Sequence, residues 1–356
     1  MKKTVAVGLS GGVDSAVCAL LLLKRGFNVI GVTMSIWDKK GPYNPAKKGC
    51  YGPVDTIRIE EAKKVASILN IEHFVIDLKD EFKDLVIHYF IDEYNSGKTP
   101  NPCVVCNYRV KFGSLIKKLE QKDIDFDFFA TGHYARIFFD EKNKRYVLKR
   151  GVDKTKDQSY FLYRLTNEQL GRILFPIGGY KKEEVKTIAI KSGLGDIVKK
   201  PESQDFGRFD FQFLENKYGP GNIIDVNGKI LGTHKGINQY TIGQRKGLKL
   251  AGMKRAHYVI KIDPVKNEIT AGTKESLMAY ELIAYDTNWL IPFEEIANKP
   301  IYAQIRYKSK PGRCIVYPLT QDFYKVIFTM PQEAITPGQS VVFYDDDTLL
   351  GGGTIK

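Results

Sequence analysis

Short apolar runs alternate with amphipathic stretches of helical length over the first third of the chain. The apolar runs predict β-strands at Thr4–Leu9, Asn28–Met34, His73–Leu78 and Phe126–Thr131. The amphipathic stretches predict helices at Asp14–Arg25, Thr56–Leu69, Glu81–Tyr94 and Tyr108–Glu120. Strands that alternate with helices form parallel β-α-β units, so we predict an α/β domain with a doubly wound parallel sheet. Ligands of such a sheet bind at the carboxyl ends of its strands.

The pattern changes further along the chain. Arg136–Arg150 predicts a hairpin, and helical stretches follow around Asn167–Ile173 and Lys182–Ser192. From about Asp205, Gly-rich turns separate short segments in which apolar and polar residues alternate, such as CIVYPL, YKVIFTM and QSVVFY. This alternation is typical of antiparallel strands with one buried face. We therefore predict an α/β domain over residues 1–205, a small central β-rich domain over 206–274 and a C-terminal antiparallel β-barrel over 275–356.

Composition narrows the class of protein. The chain has 43% hydrophobic and 27% charged residues, which is ordinary for a globular protein, and five scattered cysteines, which do not form a secreted disulfide framework. The formal charge of +13 suits a polyanionic partner, nucleic acid above all, although solubility alone also accounts for such an excess. We read no targeting signal in MKKTVAVGLSGG and no run of apolar residues long enough to span a membrane. We expect a cytoplasmic protein without a membrane partner.

A glycine-rich loop directly follows the first predicted strand and opens the first predicted helix. Its residues are Gly8, Leu9, Ser10, Gly11, Gly12, Val13, Asp14 and Ser15. Backbone N–H groups in such a loop converge on an anion, and the helix N-terminus adds positive potential. The loop is neither a GxxxxGK[ST] P-loop nor a GxGxxG fingerprint. An ordinary β-α turn is the plain alternative.

The motif SGGxDS resembles the pyrophosphate loop of the PP-loop superfamily, whose members cleave ATP to AMP and pyrophosphate. The resemblance implies that ATP binds along Gly8–Ser15, with phosphates held by Ser10, Gly11, Gly12 and Ser15. Asp14 is then a carboxylate that organises Mg²⁺ or the loop. Met34, at the end of the second strand, lies where adenine docks, and Gly132, at the end of a later strand, lets nucleotide approach.

Several further stretches resemble the tRNA-specific 2-thiouridylases, which replace the C2 oxygen of the wobble uridine with sulfur. These stretches are TPNPCVVCNYRVKF, ATGHYAR, KDQSYFL, YTIGQRKGL, RYKSKP and AITPGQSVVFY. They run from end to end in the family's order and match its three-domain plan. The resemblance therefore implies a tRNA sulfurtransferase that uses ATP and binds the anticodon stem-loop.

The same resemblance implies which residues contact tRNA. They are Asn101, Pro102, His133, Lys156, Asp157, Gln158, Arg306, Tyr307 and Gln339. Arginine pairs with phosphate and tyrosine stacks on an unpaired base, so the residue types suit this partner. An anticodon base must leave its stack to reach the nucleotide site, as in other recognition of single-stranded loops. A structural histidine and a solvated turn are the plain alternatives for His133 and for Lys156–Gln158.

The sulfur chemistry departs from the family pattern. Family members carry a catalytic cysteine at the position of Cys106, and most carry a second one in a segment of the form ESQDICF. This chain has ESQDFG there, with Gly207 in the place of the second cysteine. A persulfide relay between Cys106 and position 207 is thereby excluded. Cys18, inside an apolar helix, is most simply a core residue.

Three other cysteines lie in loops that we expect at the ligand edge of the sheet. Cys50, Cys103 and Cys106 could ligate a [4Fe–4S] cluster whose open iron binds the sulfur to be transferred. In the alternative scheme Cys106 carries a persulfide that Cys103 resolves, without a cluster. A structural zinc site and an inert pair of cysteines are further alternatives. Cys106 and Cys103 are catalytic in both sulfur schemes, together with Asp14 for the nucleotide.

The resulting hypothesis is an ATP-dependent sulfurtransferase. The C2 oxygen of the uridine attacks the α-phosphate of ATP, pyrophosphate leaves, and sulfur then displaces AMP to give 2-thiouridine. The sulfur donor is a cysteine desulfurase, a sulfur relay protein or free sulfide. Two other classes stay open: a PP-loop synthetase that amidates a small molecule, and a tRNA-binding protein without catalytic activity.

Overall fold

The computed structural model describes residues 2–38, 50–199, 218–250, 252 and 255–356. The predicted boundary between residues 205 and 206 and the glycine at 207 lie outside the described residues. The described residues form two compact units, and each is discontinuous in sequence. The first comprises residues 2–86, 103–199 and 347–349, and the second comprises 87–102, the described part of 218–346, and 350–356.

A parallel sheet forms the centre of the first unit. The strands of this unit are β1 (Thr4–Gly8), β2 (Asn28–Ser35), β3 (Glu72–Asp77), β4 (Phe128–Ala130), β5 (Ala135–Asp140), β6 (Arg145–Arg150) and β7 (Ile173–Leu174). The sheet order is β3-β2-β1-β4-β7, and its pairings are parallel, while β5 and β6 form an antiparallel hairpin. These observations confirm the predicted α/β sheet. The chain adds strands on one side of β1 and then crosses to β4, so the crevice above β1 and β4 is the topological switch point where ligands bind.

Nine α-helices precede residue 200 in the described part of the chain, and one of them, α4, belongs to the second unit. They are α1 (Val13–Lys24), α2 (Val54–Leu69), α3 (Lys79–Phe82), α4 (His88–Asn95), α5 (Pro102–Val105), α6 (Leu115–Glu120), α7 (Asn167–Gly171), α8 (Lys182–Lys191) and α9 (Gly195–Val198).

Two segments have π-helical hydrogen bonding, Lys83–Ile87 and Cys106–Ser114. The sequence predicted α-helices over Glu81–Tyr94 and Tyr108–Glu120, because side-chain periodicity does not report which carbonyl each N–H selects. The prediction that Cys103 and Cys106 lie in a loop is wrong: Cys103 lies in α5 and Cys106 begins the second π-helical segment, because short polar and apolar runs without a cap signal still form helical hydrogen bonds. Single π turns are frequent at functional sites.

The core of the first unit packs the inner face of α1 against the sheet. Ala16, Val17, Cys18 and Leu22 of this helix are all fully buried. Burial raises the pKa of the Cys18 thiol, which is the behaviour of a small apolar side chain in a core. The expectation that Cys18 is a core residue is confirmed.

A short piece of the C-terminal sequence completes the first unit. The Asp347 carboxylate accepts hydrogen bonds from Arg136, at 2.9 Å, and from Lys154, and its carbonyl accepts one from the Arg150 N–H. Thr348 pairs with Lys149 of β6. This contribution could not be seen in the sequence, because nearly 200 residues separate the partners.

The second unit contains a closed antiparallel barrel. Its strands are β12 (Met278–Trp289), β13 (Ile301–Gln304), β14 (Gly312–Pro318), β15 (Phe323–Glu333), β16 (Ser340–Asp345) and β17 (Thr348–Ile355), with the short helix α10 (Phe293–Ile296). The order is β12-β15-β14-β13-β16-β17, and β17 also pairs with β12, which closes the barrel. Trp289 and Phe343 stack in its core with ring centroids 5.0 Å apart. The predicted C-terminal barrel is confirmed.

A smaller sheet with its own apolar core represents the central β-rich region. Its strands are β8 (Gly221–Ile224), β9 (Ile230–His234), β10 (Tyr258–Asp263) and β11 (Glu268–Gly272), in the order β10-β11-β8-β9. Ile223, Val259 and Ile269 are fully buried at its centre. None of the helices in the described part of the chain has the length and apolar character needed to cross a bilayer.

The barrel core makes a prediction about stability. Val326 is fully buried in the barrel, whereas Val265 is 93% exposed in a turn. Val326→Ala should lower the free energy of unfolding by about 1–3 kcal/mol, because it removes buried apolar area and leaves a cavity. The matched change Val265→Ala should stay within about 0.5 kcal/mol of the parent. Urea denaturation followed by tryptophan fluorescence measures both, and equal effects would contradict this description of the core.

Candidate nucleotide and thiol site

The glycine-rich loop lies at the switch point, between the end of β1 and the start of α1. Gly11 has φ +73°, and a Cβ atom there would lie 2.5 Å from Cβ of Glu61, so this position requires glycine. The Ser15 hydroxyl accepts from the Ser10 N–H at 3.2 Å and donates to the Gly12 carbonyl at 3.0 Å. These contacts hold the loop from within. The N-cap, Gly12, supplies no side-chain cap, so the first turn of α1 presents N–H groups suited to an anion.

An ion pair fixes the first turn of α1. Lys182, the first residue of α8, places its Nζ atom 2.8 Å from both carboxylate oxygens of Asp14. The Tyr134 hydroxyl donates to Asp14 Oδ1 at 2.8 Å. The Lys182 side chain is 5% exposed and that of Asp14 is 31% exposed. The ion pair between Asp14 and the buried Lys182 ammonium therefore orders the glycine-rich loop. Organising the loop is one of the two roles that the resemblance implied for Asp14, the other being to organise Mg²⁺.

Sequence reasoning missed Lys182 and Tyr134. Lys182 belongs to KKEEVK, which has the polar composition of an exposed helix start, and Tyr134 follows His133 in ATGHYAR. Their distances from Asp14 in the chain are 168 and 120 residues. Neither motif carries a local signal of this contact. Only the resemblance of ATGHYAR to a family segment pointed to one of the two regions.

Gly132 allows a close approach of two backbones. A Cβ atom at this position would lie 2.7 Å from the Asp14 carbonyl carbon and 2.8 Å from the Ser15 backbone nitrogen. Glycine is therefore needed for β4 to end against the first turn of α1, next to the region assigned to nucleotide. Met34 is half-buried in β2, where it pairs with Ile76 of β3.

The thiol cluster of the first unit consists of Cys50 and Cys106, because the charge of Cys50 acts on Cys106. Cys50, Cys103 and Cys106 are all partly buried. Burial raises the pKa of Cys106 to about 11; the positive charge of Lys111 opposes this and the proximity of Cys50 adds to it. Burial also raises the pKa of Cys50, against the charges of Arg58 and Lys111. Lys111 acts on both thiols, so Cys50 and Cys106 share one electrostatic environment.

Arg58 and Lys111 are each held by a further contact. Arg58 Nη1 donates to the Cys50 carbonyl at 3.1 Å, and Lys111 Nζ donates to Asn107 Oδ1 at 2.8 Å. Both thiols are protonated at neutral pH, because burial outweighs these cations. A sulfur nucleophile at Cys106 therefore needs deprotonation when it is used.

The predicted iron–sulfur ligation can be tested on the positions of the cysteines. Across the described residues, which include Cys50, Cys103 and Cys106, no three His, Cys, Asp or Glu side chains converge where a metal ion could bind. The three cysteines thus do not form a ready set of ligands in this structure. Ligation of a cluster by these cysteines stays a prediction, and no step of the chemistry is derived from it.

His133 is buried among aromatic rings. Its Nδ1 atom lies 2.6 Å from the Thr131 hydroxyl, and Phe112 and Phe175 pack against its ring. Burial, with the nearby charge of Lys111, holds the pKa of His133 well below its usual value. The imidazole is therefore neutral. It suits a positioned hydrogen-bonding group better than a cation that pairs with phosphate.

The segment Lys156–Gln158 is part of an internal network. Asp157 is buried, pairs with Arg150 at 2.8 Å and accepts from the N–H groups of Gly151 and Ser159. Gln158 Oε1 accepts from the Tyr134 N–H at 3.0 Å, which links this segment to the partner of Asp14. Lys156 is half-exposed. Through Gln158 and Tyr134, this segment helps to hold Asp14 and thereby the glycine-rich loop in place.

The remaining candidates belong to the second unit. Gln304 donates to the carbonyls of Arg306 and Tyr307, at 3.2 and 2.6 Å, and so fixes the turn that carries them. The Arg306 guanidinium donates to the Glu333 carbonyl at 3.0 Å. Asn101 is buried, and its amide lies 3.4 Å from the Ser340 hydroxyl. Gln339 contacts the segment just before Asn101.

Comparison with known proteins gives matches over nearly the whole chain. Three family models match in succession: the tRNA methyl transferase HUP domain over residues 3–208, the tRNA methyl transferase PRC-barrel domain over 211–273 and the Aminomethyltransferase beta-barrel domain over 279–355. The tRNA-specific 2-thiouridylase MnmA 2 of Thermoanaerobacter sp. is 46% identical over 362 residues, covering 99% of this chain and 97% of its own.

Two further relatives are similar to the same extent. The tRNA-specific 2-thiouridylase MnmA 1 of Caldanaerobacter subterraneus subsp. tengcongensis is 47% identical over 361 residues, which are 99% of this chain and 97% of that protein. The tRNA-specific 2-thiouridylase MnmA of Acetivibrio thermocellus is 43% identical over 363 residues, which are 100% of this chain and 99% of that protein.

The electrostatics of the thiol cluster make a prediction about reactivity. A pKa of about 11 means that Cys106 is almost entirely thiol at pH 7, and only the thiolate reacts with an alkylating agent. The rate of its alkylation by iodoacetamide should rise about tenfold for each pH unit between about 7 and 9. Lys111→Gln removes a charge that favours the thiolate, so it should slow the reaction at pH 8 by about threefold or more.

Peptide mass mapping measures this rate for Cys106 separately from the other four cysteines. Lys117→Gln, at an exposed position of α6, is the matched control and should leave the rate unchanged. A rate that levels off near pH 8.5, as for an ordinary thiol, would contradict the raised pKa.

Proposed function

The chain belongs to the tRNA-specific 2-thiouridylase family, and from that premise we propose that it is an ATP-dependent tRNA sulfurtransferase that forms 2-thiouridine at the wobble position. Similarity along the full length to relatives named tRNA-specific 2-thiouridylase is the observation that carries the proposal. The glycine-rich loop at the switch point of the sheet supports the part of the proposal that requires ATP. The thiol cluster of the same unit supports the part of the proposal that requires transfer of sulfur.

ATP binds with its phosphates at the uncapped start of α1. The N–H groups of the loop and the N-terminus of the helix balance the negative charge of the phosphates. Lys182 keeps Asp14 in place, so the loop is ordered before the nucleotide arrives. Mg²⁺, carried by the nucleotide, neutralises charge on its phosphates. Asp14 is already engaged by a lysine and a tyrosine, so we assign it to ordering the loop and not to direct proton transfer.

The first chemical step is adenylation of the uridine. The C2 oxygen attacks the α-phosphate, the bond to the β-phosphate breaks, and pyrophosphate leaves. The preorganised N–H groups of the loop stabilise the charge that develops on the phosphates. The uridine C2 is now activated, because AMP is a far better leaving group than an oxide.

The second step is transfer of sulfur. We assign the persulfide to Cys106, with Cys103 as the resolving thiol, in preference to the cluster scheme. Cys103 lies in α5, directly before the segment that begins at Cys106, and the described residues hold no converged set of three cluster ligands. Lys111, which favours the anionic form of Cys106, helps to supply the nucleophile.

The outer sulfur of the Cys106 persulfide attacks C2, the C2–O bond breaks and AMP leaves. The Cys103 thiolate then attacks Cys106 Sγ, which breaks the S–S bond to the transferred sulfur, leaves 2-thiouridine and forms a Cys103–Cys106 disulfide. A dithiol reductant restores the two thiols, and a persulfide-bearing protein passes its outer sulfur to Cys106 for the next cycle.

The tRNA is held by the second unit as well as by the first. Arg306 and Tyr307 occur on an ordered turn, where arginine can pair with phosphate and tyrosine can stack on a base. The excess of positive charge on the chain supports a polyanionic substrate. His133, Lys156, Asn101, Pro102 and Gln339 are further candidates for tRNA contacts.

Thiolation of unmodified tRNA tests the assignment of Cys106. Protein purified without oxygen should convert uridine to 2-thiouridine in the presence of ATP, Mg²⁺, a persulfide donor and a dithiol reductant. Cys106→Ser should lower the rate by at least about a hundredfold, because the sulfur-carrying thiol is gone. Cys314→Ala, which changes a buried cysteine of the barrel, is the control. Nucleoside mass spectrometry measures the product.

The same preparation separates the alternatives. Iron and sulfide content is measured for the parent protein and for Cys50→Ala. Full activity without iron would rule out the cluster, and activity that requires reconstituted iron would rule out the simple persulfide scheme. Binding of tRNA without product in every condition would favour a non-catalytic tRNA-binding protein and contradict the proposed function.

The ion pair at α1 makes a prediction about adenylation. Asp14→Asn leaves the buried Lys182 ammonium without a counter-charge, so the rate of pyrophosphate release should fall by about tenfold or more. Tyr134→Phe keeps the ion pair and loses one hydrogen bond, so its effect should be smaller. Asp196→Asn, in an exposed pair with Lys199 at 3.1 Å, is the matched control. Thermal unfolding of each variant shows whether the loss is one of stability, and equal rates for Asp14→Asn and the parent would contradict the role of the pair.

A further inference from the structure

A short extended segment of the second unit is tied to a loop of the barrel. We call residues 98–101 the strap and residues 336–340 the clamp loop. Helix α4 ends at Asn95 and α5 begins at Pro102, so the strap lies between two helices. The Thr99 N–H donates to the Pro337 carbonyl at 2.8 Å. The two ends of this contact are far apart in sequence, and both belong to the second unit.

The side-chain amide of Gln339 donates hydrogen bonds to two backbone carbonyls of the strap. Its amide nitrogen donates to the carbonyl of Thr99 at 3.0 Å and to that of Pro100 at 3.0 Å. Pro100 is buried and lies outside any helix or strand, so its carbonyl needs a hydrogen-bond donor from elsewhere in the fold. A glutamine amide has two N–H groups, and both are used here.

The clamp loop is shaped for this contact. Gly338 has φ +86°, and a Cβ atom there would lie 2.9 Å from the Thr99 carbonyl oxygen and 3.0 Å from its nitrogen. Glycine is therefore required for the backbones to meet. The Gly338 N–H donates to the Ile355 carbonyl, and the Ile355 N–H donates to the Gln339 carbonyl, both at 2.8 Å. The loop is thus anchored to β17 on its other side.

Further contacts hold both ends of the strap. Asn101 Nδ2 lies 3.4 Å from the Ser340 hydroxyl, and the Asn101 N–H donates to the Tyr89 hydroxyl at 3.3 Å. Lys98 Nζ lies 3.4 Å from the Tyr285 hydroxyl. These bonds are longer than the two from Gln339, so the glutamine makes the firmest side-chain contact with the strap.

We propose that Gln339 is a positioning residue that fixes the strap and thereby sets the start of α5, the helix that carries Cys103 and leads into Cys106. The proposal rests on the proposed function only where it assigns sulfur chemistry to these cysteines. Gln339 acts through the backbone of Thr99 and Pro100, and not through its own contact with the reacting atoms. Of its amide, only the Oε1 atom is left to accept a hydrogen bond from tRNA.

The test compares variants that differ in what position 339 can donate. Gln339→Glu keeps the size of the side chain but presents oxygens to two carbonyls, and Gln339→Leu removes the donors without adding charge. Gln332→Glu is the matched control, because the Gln332 amide also donates to a carbonyl, that of Met330, at an exposed place away from the strap. Thermal unfolding confirms that each variant is folded.

Two readouts need no tRNA. Amide hydrogen exchange at Thr99 should become about tenfold faster or more in both Gln339 variants, because the strap loses two of its hydrogen bonds. Alkylation of Cys103 by iodoacetamide should also change by about threefold or more, since α5 starts from the strap. Unchanged exchange and alkylation in both variants would overturn the proposal. These readouts stand even if the protein forms no 2-thiouridine, so failure of the proposed function is distinguished from failure of the clamp.

Steady-state kinetics of thiolation give the third readout. A positioning role predicts a lower kcat, because the cysteines that follow the strap are displaced; KM for tRNA can rise as well, since Asn101 of the strap and Gln339 are candidates for tRNA contacts. An increased KM for tRNA with normal kcat, normal exchange and normal alkylation would mean that Gln339 acts only as a tRNA contact, and would overturn the proposal. The Gln332→Glu control should match the parent in all three measurements.

Discussion

The organisation of the nucleotide site depends on one ion pair, between Asp14 in the first turn of α1 and Lys182 at the start of α8. A nearly buried ammonium must keep a partner, because an uncompensated charge in that position is costly. Tyr134 adds a hydrogen bond to the same carboxylate, and Gln158 fixes the backbone of Tyr134. Separate parts of the chain thereby converge on the first turn of α1, whose uncapped N–H groups suit an anion. The arrangement orders the loop before any ligand is bound.

The sequence predicted the local architecture of this region well and its long-range contacts poorly. Strands and helices follow from the spacing of apolar residues, so β1, β2, α1 and α2 were found within a few positions of their observed bounds. The glycine-rich loop was found because glycines between a strand and a helix carry a local conformational requirement. Lys182 has no local conformational requirement of this kind, and a lysine at the start of a helix is expected to be exposed. The π-helical segment Cys106–Ser114 was missed for a related reason, because its side-chain pattern is that of an α-helix.

Burial of the thiol cluster protects its cysteines from unwanted reactions but also lowers their reactivity as nucleophiles. Burial keeps Cys106 protonated and so protects it from adventitious oxidation or alkylation, while Lys111 limits how far the pKa rises. The neutral His133 lies close to the same lysine and shares its field. The protonated Cys106 thiol is therefore a poor nucleophile in this structure. It reacts only when a change in the surrounding charges or a base favours its thiolate form. The resemblance to a family pattern singled out Cys106 as the candidate, but its state of protonation depends on burial, which the sequence pattern does not report.

The short segment 347–349 has a consequence for how the molecule is made. It supplies the carboxylate that Arg136 and Lys154 share, and the second unit in turn takes its residues 87–102 from within the sequence of the first. Neither unit can therefore be completed in the order in which the ribosome produces it. At typical elongation rates about 10–40 s pass between the synthesis of Lys154 and that of Asp347. During that time Arg136 and Lys154 lack the Asp347 carboxylate and β6 lacks its pairing with Thr348, so these last contacts of the first unit form only when synthesis is nearly finished.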